Sequence, residues 1–172
     1  MKIGIITANH KREDVLEVFA LGIDRLRRET GMEIIVACAG DESGAEICNR
    51  HSIINIPFPN NPVTEKFNAA CYCLKDKVDA VMVLGSDDIV STETFIRTVE
   101  ALQSGYDAIR MDTVYFLECR YGRGWVCRIG PVNTLVVGMT IRSEVLNPTW
   151  KPWVRPADRG FDIIFWEGIR EN

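Results

Sequence analysis

The chain holds 172 residues, enough for one domain with a buried core. With 47% hydrophobic and 26% charged residues it has the composition of an ordinary globular protein. Its net charge of −4 gives no basic footprint for nucleic acid, and no apolar run reaches the ~20 residues of a membrane span.

The opening Met1-Lys2-Ile3-Gly4-Ile5-Ile6-Thr7 turns polar too early for a signal peptide, and Lys2–Thr7 reads as a first strand. The polar loop Ala8–Arg12 follows. Glu13–Arg28 carries Val15, Leu16, Phe19, Leu21, Ile23 and Leu26 at helical spacing, with arginines at its end to suit the helix dipole and Gly31 as a stop. Glu33–Ala39 is a second strand, Asp41–Asn49 a short helix, and Ser52–Ile56 a third strand. Pro57, Pro59 and Pro62 then impose an extended loop. A helix from Val63 to about Lys77 and a strand Asp79–Leu84 come next, followed by a helix Ser91–Gln103 capped by Ser91 or Thr92 and stopped near Gly105. Alternation of strand and helix through residue 105 predicts a mostly parallel sheet flanked by helices.

Beyond residue 105 the pattern changes. Asp107–Leu117 reads as one long strand, with a hairpin turn at Gly122-Arg123-Gly124 into Trp125–Ile129. Leu135–Ile141 is a further strand, Ser143–Leu146 a short helix, and Phe161–Trp166 a closing helical segment. The expectation is a single domain, 1–172, with a ligand-binding half to residue 105 and a smaller antiparallel half from 106.

Six cysteines do not make a disulfide framework in a chain of this length, and none falls in a zinc pattern. Cys71-Tyr72-Cys73 is one residue short of Cys-x-x-Cys, and His10 and His51 sit in no ligand spacing. Reduced thiols in a cytoplasmic protein are expected.

The segment that carries chemistry is Ala80-Val81-Met82-Val83-Leu84-Gly85-Ser86-Asp87-Asp88. An unbroken apolar run is a strand buried on both faces, and ligands of open α/β sheets gather beyond the carboxyl ends of such strands. Two adjacent carboxylates there repel unless a positive charge joins them, and a divalent cation carrying a phosphorylated ligand meets that need. The same residues also make a helix N-cap. Other strand ends bring Thr7, Asn9 and Arg12, then Asp41, then Glu65, Lys66 and Asn68, and finally Ser86 and Asp87 to the same edge. These supply donors and acceptors for a base and ribose, with Arg12 or Lys66 for phosphate; Lys66 as a solvated helix residue is the plainer alternative. No Walker loop and no dinucleotide fingerprint is present.

In order and spacing, Ile5-Ile6-Thr7-Ala8-Asn9-His10-Lys11-Arg12, Glu65-Lys66-Phe67-Asn68-Ala69-Ala70 and Val83-Leu84-Gly85-Ser86-Asp87-Asp88 resemble family 2 glycosyltransferases. Val137–Leu146 and Arg159-Gly160-Phe161-Asp162-Ile163-Ile164-Phe165-Trp166 resemble later segments of that family. The resemblance implies a Rossmann-like GT-A fold and a nucleotide-sugar donor. It implies Mn²⁺ or Mg²⁺ on Asp88 and Asp87, with Asp87 toward the ribose. Asp162 becomes the base for an acceptor hydroxyl of a sugar, glycan or protein, with Asp158 and Glu167 as alternatives. Inverting single displacement is implied by the family alone. Two departures are Ser86 where many members have an acid, and a chain that ends soon after Asp162.

Two competitors remain. A nucleotidyltransferase of similar architecture needs a Gly-rich basic loop after the first strand, which Thr7-Ala8-Asn9-His10 does not provide. A non-catalytic binding or assembly module keeps the sheet without turnover. Arg110, Arg120, Arg123 and Arg128 form either a solvent face or an anion-binding group. Trp125, Trp150, Trp153 and Trp166 are core, interface or sugar platforms. Exposed Trp and Pro near the end hint at a partner surface, so a homo-oligomer stays open.

Overall fold

The computed structural model describes residues 1–129, 135–158, 162, 164, 165 and 169. A six-stranded sheet runs in the order β3 (Ile53–Pro57), β2 (Ile34–Gly40), β1 (Ile3–Ala8), β4 (Ala80–Val83), β8 (Thr140–Arg142), β5 (Ala108–Ile109). The four strands from β3 to β4 are parallel; β8 is antiparallel to β4 and to β5. β6 (Thr113–Glu118) and β7 (Arg123–Arg128) form a separate antiparallel ribbon.

Successive side chains of a strand point to opposite faces, so apolar runs bury both. On one face Ile3, Ile5, Val36, Met82 and Leu84 pack under α1 (Glu13–Thr30), α2 (Ala45–Arg50) and α4 (Thr92–Gln103). On the other, Ile6, Ala37, Val81 and Val83 meet α3 (Val63–Cys73), α5 (Ser143–Leu146), Trp150, Trp153 and Phe165. Gly4 fits close packing here: a Cβ on it would lie 2.7 Å from Leu74.

The parallel sheet and its helices follow the sequence pattern; three boundaries differ. α3 ends at Cys73 rather than near Lys77, and Asp76 stands at φ 60° in the turn that follows. The strand expected over Asp107–Leu117 is two strands, because Met111 turns in toward the core and lies over Gly138 (φ 72°), closing β5. The strand expected over Leu135–Ile141 is reduced to Thr140–Arg142, since the chain turns at Gly138; Asp162, Ile164, Phe165 and Ile169 are helical, as expected for the closing segment. Trp150 and Trp153 are core residues, 1% exposed, which bears out the core reading and corrects the hint that they belong to an exposed partner surface. Trp166 lies outside the described residues. The six cysteines are unpaired, and no described helix is long and apolar enough to cross a membrane.

At the opposite edge from the strand ends, His51 joins α1 to the start of β3. Its Nδ1 lies 2.6 Å from Asp24 Oδ2 and its Nε2 3.1 Å from Glu17 Oε1. Hydrogen bonding to Asp24, opposed by burial and helped by Glu17, raises its pKa. A raised histidine pKa stabilises the fold fully below the unfolded value of about 6.5, and that contribution is lost as pH rises through the folded value. Melting temperature is therefore expected to fall as pH rises from about 6.5 toward alkaline values, and His51→Asn to flatten that slope. Thermal melts across pH check this; a slope unchanged in the variant sinks it.

Candidate functional site

β1 pairs with β2 on one side and β4 on the other, so the chain order reverses between β1 and β4. Such switch points open a crevice at the carboxyl ends of the strands. Here that edge holds Thr7 and Asn9 from β1 and Gly85-Ser86-Asp87-Asp88 from β4. Asp41 after β2 and Lys66 on α3 complete it.

The β1 end is buried and short of partners. Thr7 is fully buried and Asn9 is 3% exposed, yet Thr7 Oγ1 and both amide atoms of Asn9 have no hydrogen-bond partner among the described residues. The Lys66 side chain is also buried, against the expectation of a solvated residue, and its Nζ donates to the Asn9 carbonyl at 2.5 Å. No carboxylate forms an ion pair with it among the described residues. Burial holds the ammonium below the ordinary lysine range, with Cys38 and Asp41 pulling the other way. Gly40 lets β2 approach this point, since a Cβ on it would lie 2.8 Å from the Asn9 oxygen.

Asp41 caps the 3-10 turn Glu42–Gly44, accepting from the Ser43 amide at 3.2 Å and the Ser43 hydroxyl at 2.6 Å. Its Oδ2 accepts from the Lys11 amide at 3.1 Å and lies 2.6 Å from His10 Nδ1. The Ser43 hydroxyl, outweighing desolvation, holds the Asp41 pKa below its ordinary value. His10 and Ser43 were missed from sequence, although the Asp-x-Ser spacing of a cap was there to find.

At the β4 end, Arg12 Nη2 donates to Asp87 Oδ2 at 2.9 Å, spanning the switch point on the solvent side. Asp88 folds back, accepting from the Gly85 amide at 2.6 Å. Burial, with help from the Asp87 charge, raises the Asp88 pKa. Both carboxylates converge on Gly85: a Cβ there would meet Asp88 Oδ2 at 2.8 Å and Asp87 Oδ1 at 2.9 Å. Ser86 is buried between these residues and the strand. The described residues contain no cluster of three or more metal-ligating side chains.

Three expected residues serve as braces. Asn68 donates to the Trp153 carbonyl at 2.8 Å and accepts from the Trp153 amide at 3.1 Å, holding the closing segment on α3. Asp158 accepts from the Val63 amide at 3.0 Å and so caps α3, and Ala157 and Thr64 exchange two further bonds beside it. Asp162 accepts from the Val136 amide at 2.8 Å, and burial raises its pKa. Val136 leads through Met139 and Gly138 to Val83 on β4, which ties Asp162 to the carboxyl edge. Glu167 lies outside the described residues.

No protein-family model matches the chain, and no curated protein matches it significantly in sequence. Solved structures do. Glucosyl-3-phosphoglycerate synthase of M. tuberculosis, also seen in complex with uridine diphosphate, superposes with a TM-score of 0.64 at 13% identity over 99% of this chain and 66% of that one. S. aureus TarS (1–349) gives 0.64 at 13% identity, over 98% of this chain and 55% of that one. The 4-diphosphocytidyl-2C-methyl-D-erythritol synthase of Anaerococcus prevotii gives 0.58 at 13% identity, over 96% and 81%. The fold is thus the GT-A fold that these glycosyltransferase structures share. This chain spans between about half and two thirds of the length of the first two neighbours.

Proposed function

We propose that this chain binds a nucleotide-diphosphate sugar at the β1/β4 switch point and transfers the sugar to an acceptor hydroxyl. One observation carries the reading: Thr7 and Asn9 bury polar atoms with no partner among the described residues, beside a buried Lys66 ammonium that no described carboxylate neutralises, at the edge where this fold takes its ligand. An unsatisfied buried polar group costs about 1–3 kcal/mol, so a ligand that satisfies several gains that energy on binding. The base and ribose are assigned to Thr7, Asn9, Asp41, Ser86 and Asp87, and the diphosphate to Lys66 and Arg12.

The donor set at β4 fits Mn²⁺ or Mg²⁺. Asp87 and Asp88 converge on one glycine, and the raised Asp88 pKa marks negative charge that a cation relieves. Magnesium is commonly held by one or two carboxylates with substrate phosphates completing the shell, so two protein ligands suffice. When bound, the cation neutralises charge developing on the leaving diphosphate. Asp162 takes the proton of the acceptor hydroxyl as its oxygen bonds the anomeric carbon and the bond from that carbon to the diphosphate oxygen breaks. Its raised proton affinity suits a general base. Inversion follows from single displacement by the acceptor.

A nucleotidyltransferase is the second reading, favoured by the 81% coverage of the cytidyl-transferring neighbour. The loop after β1 holds no Gly-rich basic run, which sets this reading lower.

Calorimetric titration with UDP, GDP, CDP, dTDP and CTP, with and without Mn²⁺, separates these readings. One nucleoside diphosphate is expected to bind in a metal-dependent way, about 10–100-fold more weakly in Lys66→Met, because a hydrogen bond to a charged group contributes about 1.5–3 kcal/mol. Preference for CTP moves the assignment to nucleotidyl transfer. No binding by any of the five to folded protein leaves a module without turnover.

A further inference from the structure

The β6–β7 ribbon is the one part of the described fold whose two faces are both apolar and both open. Cross-strand register puts Tyr115, Leu117 and Val126 on one face, with Thr113 and Arg128, and Val114, Phe116, Trp125 and Cys127 on the other, with Glu118 and Arg123. No residue from Thr113 to Arg128 is buried, and Tyr115 and Leu117 are 77% and 70% exposed. Among the described residues, Phe116 and Trp125 stack on each other, with centroids 6.2 Å apart. An isolated two-stranded ribbon is marginal in water, and a surface of this kind marks an interaction site.

Charge and area point to the occupant. The ribbon holds Arg120, Arg123 and Arg128 against Glu118, a net of +2 within a chain of −4, which leaves −6 on the rest of the molecule. Arg120 and Arg123 lie over the Tyr121 ring, and no ribbon arginine meets a carboxylate among the described residues. The complement of a basic, aromatic arm is an acidic body, and every second copy of this chain carries one. Four half-exposed aromatic residues with Leu117 and Val126 offer on the order of 600 Å² of contact, close to the roughly 800 Å² per partner of a standard interface.

We propose that the β6–β7 ribbon is a dimerisation arm, on which two copies of this chain associate about a two-fold axis. The arms cover one another's aromatic faces and set their arginines against the partner's acidic surface. In a two-fold contact the arm of each copy meets the acidic body of the other, so one pair of complementary surfaces serves both halves of the interface. The arm leaves the main sheet at its carboxyl edge, since Ile109 of β5 pairs with Thr140 of β8 and Thr140 with Met82 of β4. Dimerisation therefore brings together the edges that carry the candidate sites.

Sedimentation velocity of the full chain tests this, with Tyr115→Glu/Trp125→Glu as one variant and Arg120→Glu/Arg123→Glu as a second. The wild type is expected at twice the monomer mass of 19.4 kDa. Both variants are expected to dissociate at least tenfold more readily while keeping the wild-type circular dichroism. The charge-reversed arm keeps the aromatic faces, so its dissociation does not depend on how well the first variant folds. A monomeric wild type, or a dimer that survives both variants, overturns the proposal. So does a monomer that floats with vesicles of anionic phospholipid, which would assign the arm to a membrane surface instead.

Discussion

Asp88→Asn is expected to remove Mn²⁺-dependent nucleotide binding while leaving the protein as stable as before, or more so. The asparagine oxygen can still accept the Gly85 amide, so the turn after β4 keeps its hydrogen bond. What disappears is a carboxylate whose pKa burial and Asp87 have raised. A raised carboxylate pKa makes the ionised form a burden on the fold above the unfolded pKa of about 3.9, and neutral asparagine lifts it. Residues kept for binding at a cost in stability behave this way. In the presence of Mn²⁺, affinity is expected to fall about 10²–10³-fold, matching the several kcal/mol a cation supplies to a diphosphate.

Gly85→Ala reaches the same site from the other side. Both carboxylates remain, yet the added Cβ lies 2.8 and 2.9 Å from them and pushes their tips apart. Metal-dependent affinity is expected to drop at least tenfold with a small change in melting temperature, because carboxylate tips move easily. Calorimetry with and without Mn²⁺ on both variants decides the matter. Full metal-dependent affinity in Asp88→Asn would remove the cation from the β4 end.

The sheet was legible in the sequence because its signals are local. Ile3–Ile6, Ile34–Ala39 and Ala80–Leu84 are continuous apolar runs, and a run buried on both faces announces a parallel strand. Parallel strands share one carboxyl edge, so Thr7, Asn9 and the two aspartates fall there whatever the strand order. The misread parts depend on residues far apart in the chain. Lys66 reads as a phosphate ligand or as a solvated residue because helical spacing gives a face and not a depth; its burial and its bond to the Asn9 carbonyl, 57 residues away, have no local signature. Asp158 reads as a base candidate because it is acidic and near the end, while its role as a cap on Val63 spans 95 residues. The Arg12–Asp87 pair spans 75 and has no sequence signature. The ribbon's strands and turn were readable, but nothing local says that β6 leaves the main sheet; that break comes from Met111 packing over Gly138.

Trp153→Ala is expected to have the largest effect on stability. The indole is 1% exposed, with its ring 5.2 Å from Phe67 and 4.8 Å from Phe165, between α3 and the closing segment. Truncating a buried tryptophan costs about 3–5 kcal/mol, a large share of the ~5–15 kcal/mol that holds a domain together. For a chain of this size that corresponds to a fall of about 10–15 °C in melting temperature. Trp153→Phe keeps an aromatic contact with Phe67 and is expected to lose less than half as much. The backbone bracket from Asn68 survives both changes, so thermal melts of the two variants report packing alone. The same ring anchors the segment that leads to Asp158 and Asp162, whereas Thr7, Asn9, Asp87 and Asp88 are held by β1 and β4. At a temperature where Trp153→Ala is still folded, turnover of a nucleotide sugar is expected to fall more than affinity for the nucleoside diphosphate. Equal losses in both would place the closing segment outside catalysis and leave Asp162 as a brace for Val136.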